Sequence, residues 1–254
     1  MTHFDENHAA GSRAVVASEA SAIDAGLRGY MLRVYNYMII GVGLTGVAAW
    51  LTFQAAVVTD ANGAITGRTP FGEVIFGGPA VIVLMLGTLG LVMFISLRIQ
   101  HLRPEIALAL FMAYAALLGV MLSSLFLVYT GSSITRVFFI SAASFAALSL
   151  YGYTTHRSLS AVGSFLIMGM FGLMIAIVVN LFLRSTGLDF LISVVGVMIF
   201  AGLTAWDTQR IKEMYDPMQD GTVASRNAVM GALKLYLNFI NLFLFMLRLM
   251  GNRR

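Results

Sequence analysis

The sequence predicts an all-α integral membrane protein, a seven-transmembrane-helix bundle with its last helix central. Three observations predict it. Of the 254 residues, 59% are hydrophobic and 11% charged, where soluble domains carry roughly 25% charged residues. The apolar residues gather into seven runs, each near the ~20 residues that a helix needs to cross a bilayer. The seventh run alone carries a line of polar side chains, Lys234, Asn238, Asn241 and Arg248, between Leu, Phe and Ile.

Residues 1–29 are polar and small, with Asp5, Glu6, Glu19 and Asp24 set against Arg13 and Arg28. They lack the charged start, apolar core and cleavage site of a signal peptide. They read as a mobile cytoplasmic tail that turns helical near its end, and residues 30–254 as a single transmembrane domain. The runs are Tyr35–Val57, Ala80–Leu97, Ile106–Tyr129, Ile134–Tyr153, Val162–Leu183, Leu188–Trp206 and Ala228–Met250. Backbone polar groups in lipid must be satisfied internally, so runs of this length are helices. The third and fourth nearly fuse at TGSSITR. The longest polar connections are Val58–Gly78 and Asp207–Asn227; the others are short and join antiparallel neighbours. Glycines recur in the runs, at 41, 43, 46, 87, 90, 169 and 172, and are expected to let helices pack closely.

Lys and Arg set orientation. Arg13, Arg28, Arg33, Arg98, Arg103, Arg157, Arg210, Lys212 and Arg226 fall on the side of the N-terminus. Arg68, Arg136, Arg184, Arg248, Arg253 and Arg254 fall on the other. The excess places the N-terminus in the cytoplasm. The C-terminal arginines fit that scheme poorly, and a re-entrant last segment is the alternative. The absence of cysteine excludes disulfides, thiolate metal sites and Cys nucleophiles. These features suit a bacterial inner (plasma) membrane. The basic residues lie between apolar runs, so no nucleic-acid partner is expected.

Few polar groups lie inside the runs. Asn180 sits late in the fifth, in VVNLFL. Lys234, Asn238, Asn241 and Arg248 fall within an arc of about 80° on a helix, a stripe suited to a central helix facing other helices or water. The plain structural role for the two asparagines is interhelical hydrogen bonding, with Lys234 and Arg248 snorkelling to opposite interfaces. Asp207 closes the sixth run; it is either an interfacial carboxylate paired with Arg210 at i+3, or lines a polar path. An intramembrane protease needs a Ser–His or paired-Asp site within the spans, and the histidines, at 3, 8, 101 and 156, all lie outside them. A retinal protein needs a mid-helix lysine and a counter-ion; Lys234 lies near the start of the last run. No enzymatic activity and no cofactor are expected.

The motifs AWDTQRIKEM (205–214), LKLYLNFINLFLFMLRLMG (233–251) and MLRVYNYM (31–38) resemble the Bax inhibitor family, the transmembrane Bax inhibitor motif proteins, in its bacterial form. The resemblance covers residues 30–251. It implies a last helix held among two layers of three, and a pH-sensitive calcium leak. It further implies a latch in which a carboxylate of the sixth helix shares a hydrogen bond with one of the seventh. Asp207 matches the first position. The second holds Asn238, where the sequence departs from the pattern.

Two adjacent carboxylates share a proton to unusually high pH; an acid–amide pair has no such shared proton, and Asn238 donates instead to an ionised Asp207. Lys234 brings positive charge to the same stripe. Opening is therefore expected to be less sensitive to pH, or to need a lower pH, than in members with two carboxylates. Calcium is the expected permeant or regulatory ion, meeting Asp207 transiently. The resemblance also implies a gating arginine after the second helix, for which Arg98 is the nearest match and Arg103 the alternative. The competing expectation is an interaction protein that modulates a partner, such as a membrane-anchored protease or a stress or cell-death pathway, through the tail and the sixth–seventh link.

Overall fold

A computed structural model describes the backbone of residues 3–60 and 65–254, and the side chains of 23–60 and 65–254. Helix α1 runs His3–Ala56 and is followed by strands β1 (Val57–Thr59) and β2 (Ile65–Arg68). Then come α2 (Pro70–Ile75), α3 (Gly78–Arg98), α4 (Pro104–Leu122), α5 (Leu125–Val128), α6 (Gly131–Thr154), α7 (Ser160–Leu183), α8 (Thr186–Glu213) and α9 (Gly221–Met250). Seven helical stretches among the described residues are long and apolar enough to span a membrane, and they coincide with the seven apolar runs. The protein is an all-α integral membrane bundle. Helix α1 begins at His3, far earlier than the helical end expected of the N-terminal stretch; the side chains of residues 3–22 lie outside the described residues.

Proline opens three of the helices, at the first turn of α2, α3 and α4, where its missing N–H costs nothing. Helix α9 is central. It packs against α1, α4, α6 and α8, whereas α3 lies mainly on α4 and α7 on α8. Two-thirds of the most apolar window of α9 is buried, against about a tenth in α3 and α7.

The tight contacts come from glycines other than most of those singled out above. A side chain at Gly152 would strike the main chain of Ala205, one at Gly119 the main chain of Thr45, and one at Gly196 the ring of Phe245. These three hold α6 on α8, α4 on α1, and α8 on α9. Of the expected set, Gly41 does pack, on Phe111, and Gly169 meets Ile199. At Gly43, Gly46, Gly90 and Gly172 nothing lies within 4 Å of an added Cβ. Their helical faces are unoccupied, because smallness permits contact but does not create it.

The Val58–Gly78 connection holds an antiparallel hairpin, Val57 opposite Arg68 and Val58 opposite Gly67, and the short α2. Thr69 caps α2, its hydroxyl accepting from Gly72 N. The chain end is also fixed. Arg254 N donates to Val128 O at 2.9 Å, Thr130 N to Asn252 O at 3.2 Å, and Asn252 N to Ser133 Oγ at 2.9 Å. The C-terminus therefore sits beside the α5–α6 link. Helix α9 is continuous over 30 residues, long enough to cross the bilayer.

Candidate functional site

Helix α8 does not stop with its apolar run at Trp206. It continues two turns to Glu213, because Asp207–Glu213 contains good helix formers with Arg210 and Lys212 in the last turn, favourably placed at a C-terminus. Asp207 is thus within the helix, and buried. The link to α9 shrinks from the expected Asp207–Asn227 to residues 214–220.

The polar side chains of this extension from Asp207 to Lys212 have separate partners. Gln209 Oε1 accepts from Leu159 N at 2.8 Å, and its Nε2 donates to Arg157 O at 2.9 Å, which fixes the α6–α7 link. Lys212 Nζ donates to Tyr153 O at 3.0 Å and lies over the Tyr153 ring. Arg210 is exposed and stacks over Trp206, 5.3 Å from the ring centroid. The interfacial Asp207–Arg210 pair does not form.

Asp207 meets Asn238 instead. Asn238 Nδ2 donates to Asp207 Oδ2 at 2.7 Å, with Asp207 9% and Asn238 6% exposed. Among the described residues this is the only hydrogen bond of the Asp207 carboxylate. An amide-to-carboxylate bond at that distance is charge-assisted and stronger than a neutral one. Lys234, half-buried one turn before Asn238, and Arg210 are the cations whose charge acts on Asp207. Helix α9 comes this close because Gly231 faces Ile211 and Gly196 faces Phe245.

The other expected site residues lie apart from this pair. Asn241 Nδ2 donates to Leu237 O within its own helix at 2.8 Å. Asn180 ends α7: its main-chain oxygen accepts from Arg184 N and its Oδ1 from Ser185 N, at 2.8 and 3.0 Å. Asn180 thus closes the last turn of α7 around its C-cap residue Arg184, which has φ 49°. Arg98 is exposed at the end of α3 and Arg103 exposed at the start of α4. Among the described residues neither bonds to Asp207. The contact at that turn is made from α9, whose Arg226 Nη1 donates to Gln100 O. No group of three or more His, Asp or Glu forms a metal-binding cluster among the described residues, so Asp207 offers calcium one carboxylate, far from the 6–8 oxygens of a resident site.

Two hydroxyl clusters inside the bundle lie outside the expected site residues. Tyr35 OH and Ser149 Oγ are 2.6 Å apart, and Ser149 Oγ and Thr208 Oγ1 2.9 Å. This chain joins α1, α6 and α8 at the residue after Asp207. Thr45 Oγ1 lies 2.6 Å from Tyr236 OH and 2.9 Å from both Gly41 O and Ala115 O, pinning α1, α4 and α9 together. Single hydroxyls inside long apolar runs give little warning in a sequence, since any of them can bond its own helix at i−4.

Comparison with known proteins places the chain. The family described as "Inhibitor of apoptosis-promoting Bax1" matches residues 27–254. The chain is 41% identical to the inner membrane protein YbhL of Escherichia coli K12 over 233 residues, 91% of this chain and 94% of that one. It is 44% identical to the uncharacterized protein RP147 of Rickettsia prowazekii, covering 93% and 95%. An uncharacterized protein of Caulobacter vibrioides is 40% identical over the full length of both.

Proposed function

This chain belongs to the Bax inhibitor family, and on that premise we propose that it is a cation leak, with calcium as the ion. The Asp207–Asn238 pair holds the pathway closed, and pH modulates its opening only weakly. The observation that carries this reading is the 2.7 Å bond between the two side chains, buried between α8 and the central α9. A carboxylate is costly to bury in a membrane bundle, and a single amide is its only hydrogen-bond partner among the described residues.

Donor and acceptor inventory explains the weak pH response. When Asp207 is ionised, Asn238 donates to it, as observed. When Asp207 is protonated, its hydroxyl can donate to the Asn238 carbonyl while its other oxygen still accepts from the amide. The pair survives in both states. Two carboxylates hold together only while they share a proton, so raising pH parts them.

The membrane is where the chain acts. We place it in a bacterial inner membrane with its N-terminus cytoplasmic, supported by the Lys and Arg distribution and by the location in the printed name of the Escherichia coli relative. Arg253 and Arg254, which the charge count favours on the N-terminal side, are held at the opposite end by the Tyr129–Arg253 bridge and the Arg254 N–Val128 O bond. A local tether of this kind overrides the charge preference.

A second reading, a modulator of a partner membrane protein such as a membrane-anchored protease, is favoured by the α8–α9 link, where Met218 is 91% exposed. Purified protein in liposomes separates the two. Asp207→Asn keeps a pair able to hydrogen-bond but removes the carboxylate that meets calcium, so a calcium flux that falls several-fold with it supports the leak; no flux from folded protein at any pH supports the modulator.

A further inference from the structure

Helices α1 and α6 both pack against the central helix but diverge from one another, leaving a groove of about 730 Å³ between them. That volume is in the range of a ligand cleft. Its floor is Met38, Phe145 and Phe239, all buried, and its rims are Leu32, Ile39 and Leu150, all exposed. The groove thus opens sideways, through the wall that faces lipid.

The groove is graded from end to end. Arg28, Tyr35, Ser149 and Tyr153 line one end; Val42, Gly43, Phe138 and Ala142 line the other. Arg28 to Gly43 spans roughly 22 Å of helix, comparable with one leaflet of a bilayer core ~30 Å thick plus its headgroup layer. Among the described residues the Arg28 side chain makes no hydrogen bond or ion pair. Tyr153, at this end of the lining, is itself held by Lys212, whose Nζ donates to its main-chain oxygen and lies over its ring. Tyr35 and Ser149, both in the groove lining, are the first two members of the hydroxyl chain that ends at Thr208.

We propose that this groove binds one anionic phospholipid of the leaflet on the N-terminal side, phosphate at Arg28, with an acyl chain lying along Met38, Val42 and Gly43. Apolar contact alone cannot select a lipid, because an acyl chain is as well solvated by other lipid tails as by Phe and Val. Preference must come from the headgroup charge, and from a slot that excludes bulk lipid exchange. A zwitterionic lipid fills the same slot but gains less at Arg28, because its quaternary ammonium offsets its phosphate.

The full chain, purified in mild detergent, is titrated with phosphatidylglycerol or phosphatidylcholine of equal chain length and examined by native mass spectrometry. Gly43→Phe fills the slot without a backbone clash, since nothing lies within 4 Å of a Cβ there; Ala146→Leu, also in the lining, is the second filling variant. Gly172→Phe, equally free of contacts but on the lipid-facing α7, is the control. One phosphatidylglycerol is expected to be retained at least fivefold more strongly than phosphatidylcholine. Both filling variants should lose it while Gly172→Phe keeps it, and Arg28→Gln should cut the preference about fivefold, the loss of one interfacial cation. Equal retention of the two lipids, or filling variants indistinguishable from Gly172→Phe, overturns the proposal.

Discussion

Asp207 and Asn238 are joined by a 2.7 Å hydrogen bond that is the only side-chain hydrogen bond between α8 and α9 among the described residues. Elsewhere these two helices meet through apolar and glycine contacts, Gly196 on Phe245 and Gly231 on Ile211. A single polar tie in an apolar seam can be released without dismantling the packing around it, which is what a closing element needs.

Removing one member of the pair leaves the other buried and unpaired. Asn238→Leu is expected to destabilise the protein by about 2–3 kcal/mol, the worth of a bond to a charged group. The double variant Asp207→Leu/Asn238→Leu should recover most of that loss, since no polar group is then stranded. Thermal melts of the four proteins in one detergent complete the cycle; additive losses would refute the pairing.

The Thr45–Tyr236 contact gives an asymmetric pair. Tyr236→Phe leaves Thr45 Oγ1 beside Gly41 O and Ala115 O, and should cost about 0.6 kcal/mol, the usual worth of an interhelical bond in lipid. Thr45→Val strands the buried tyrosine hydroxyl, and should cost about 1–3 kcal/mol. Equal losses would mean that Tyr236 finds another partner.

Glycine substitutions should divide by contact. Gly152→Leu, driven into the main chain of Ala205, should lower stability by at least 1–3 kcal/mol, the range for overpacking. Gly46→Leu, with nothing within 4 Å, should leave the melting temperature within a degree or two. The comparison is read from the loss of monodisperse protein on heating.

Much of the fold is legible in the sequence, because the length and polarity of seven apolar runs leave the bilayer one arrangement for each. The polar stripe of the last run likewise announces a central helix, and α9 is that helix. Function residues divide differently. Asp207 and Asn238 are legible as a pair through the family motif that they occupy. Asn180 is not distinguishable in sequence from a pathway residue, since a cap is recognised only once the helix is seen to end beside it. The helix boundary at Trp206 fails as an expectation because composition changes there while helix propensity does not. The hairpin had a signal in Asn62-Gly63, a turn-forming dipeptide between the paired strands. The hydroxyl chain Tyr35–Ser149–Thr208 needs three helices to be positioned before it exists.

The central claim is that Asn238 in place of a second carboxylate makes closure insensitive to pH. Calcium flux into liposomes, followed by an internal dye from pH 8 to pH 5, tests it with the wild type and Asn238→Asp side by side. The wild type is expected to change less than about twofold over that range. Asn238→Asp should vary by tenfold or more, with greater flux at high pH where both carboxylates ionise and repel. A steep pH-dependent flux near neutrality in the wild type, unchanged by Asn238→Asp, would contradict the account.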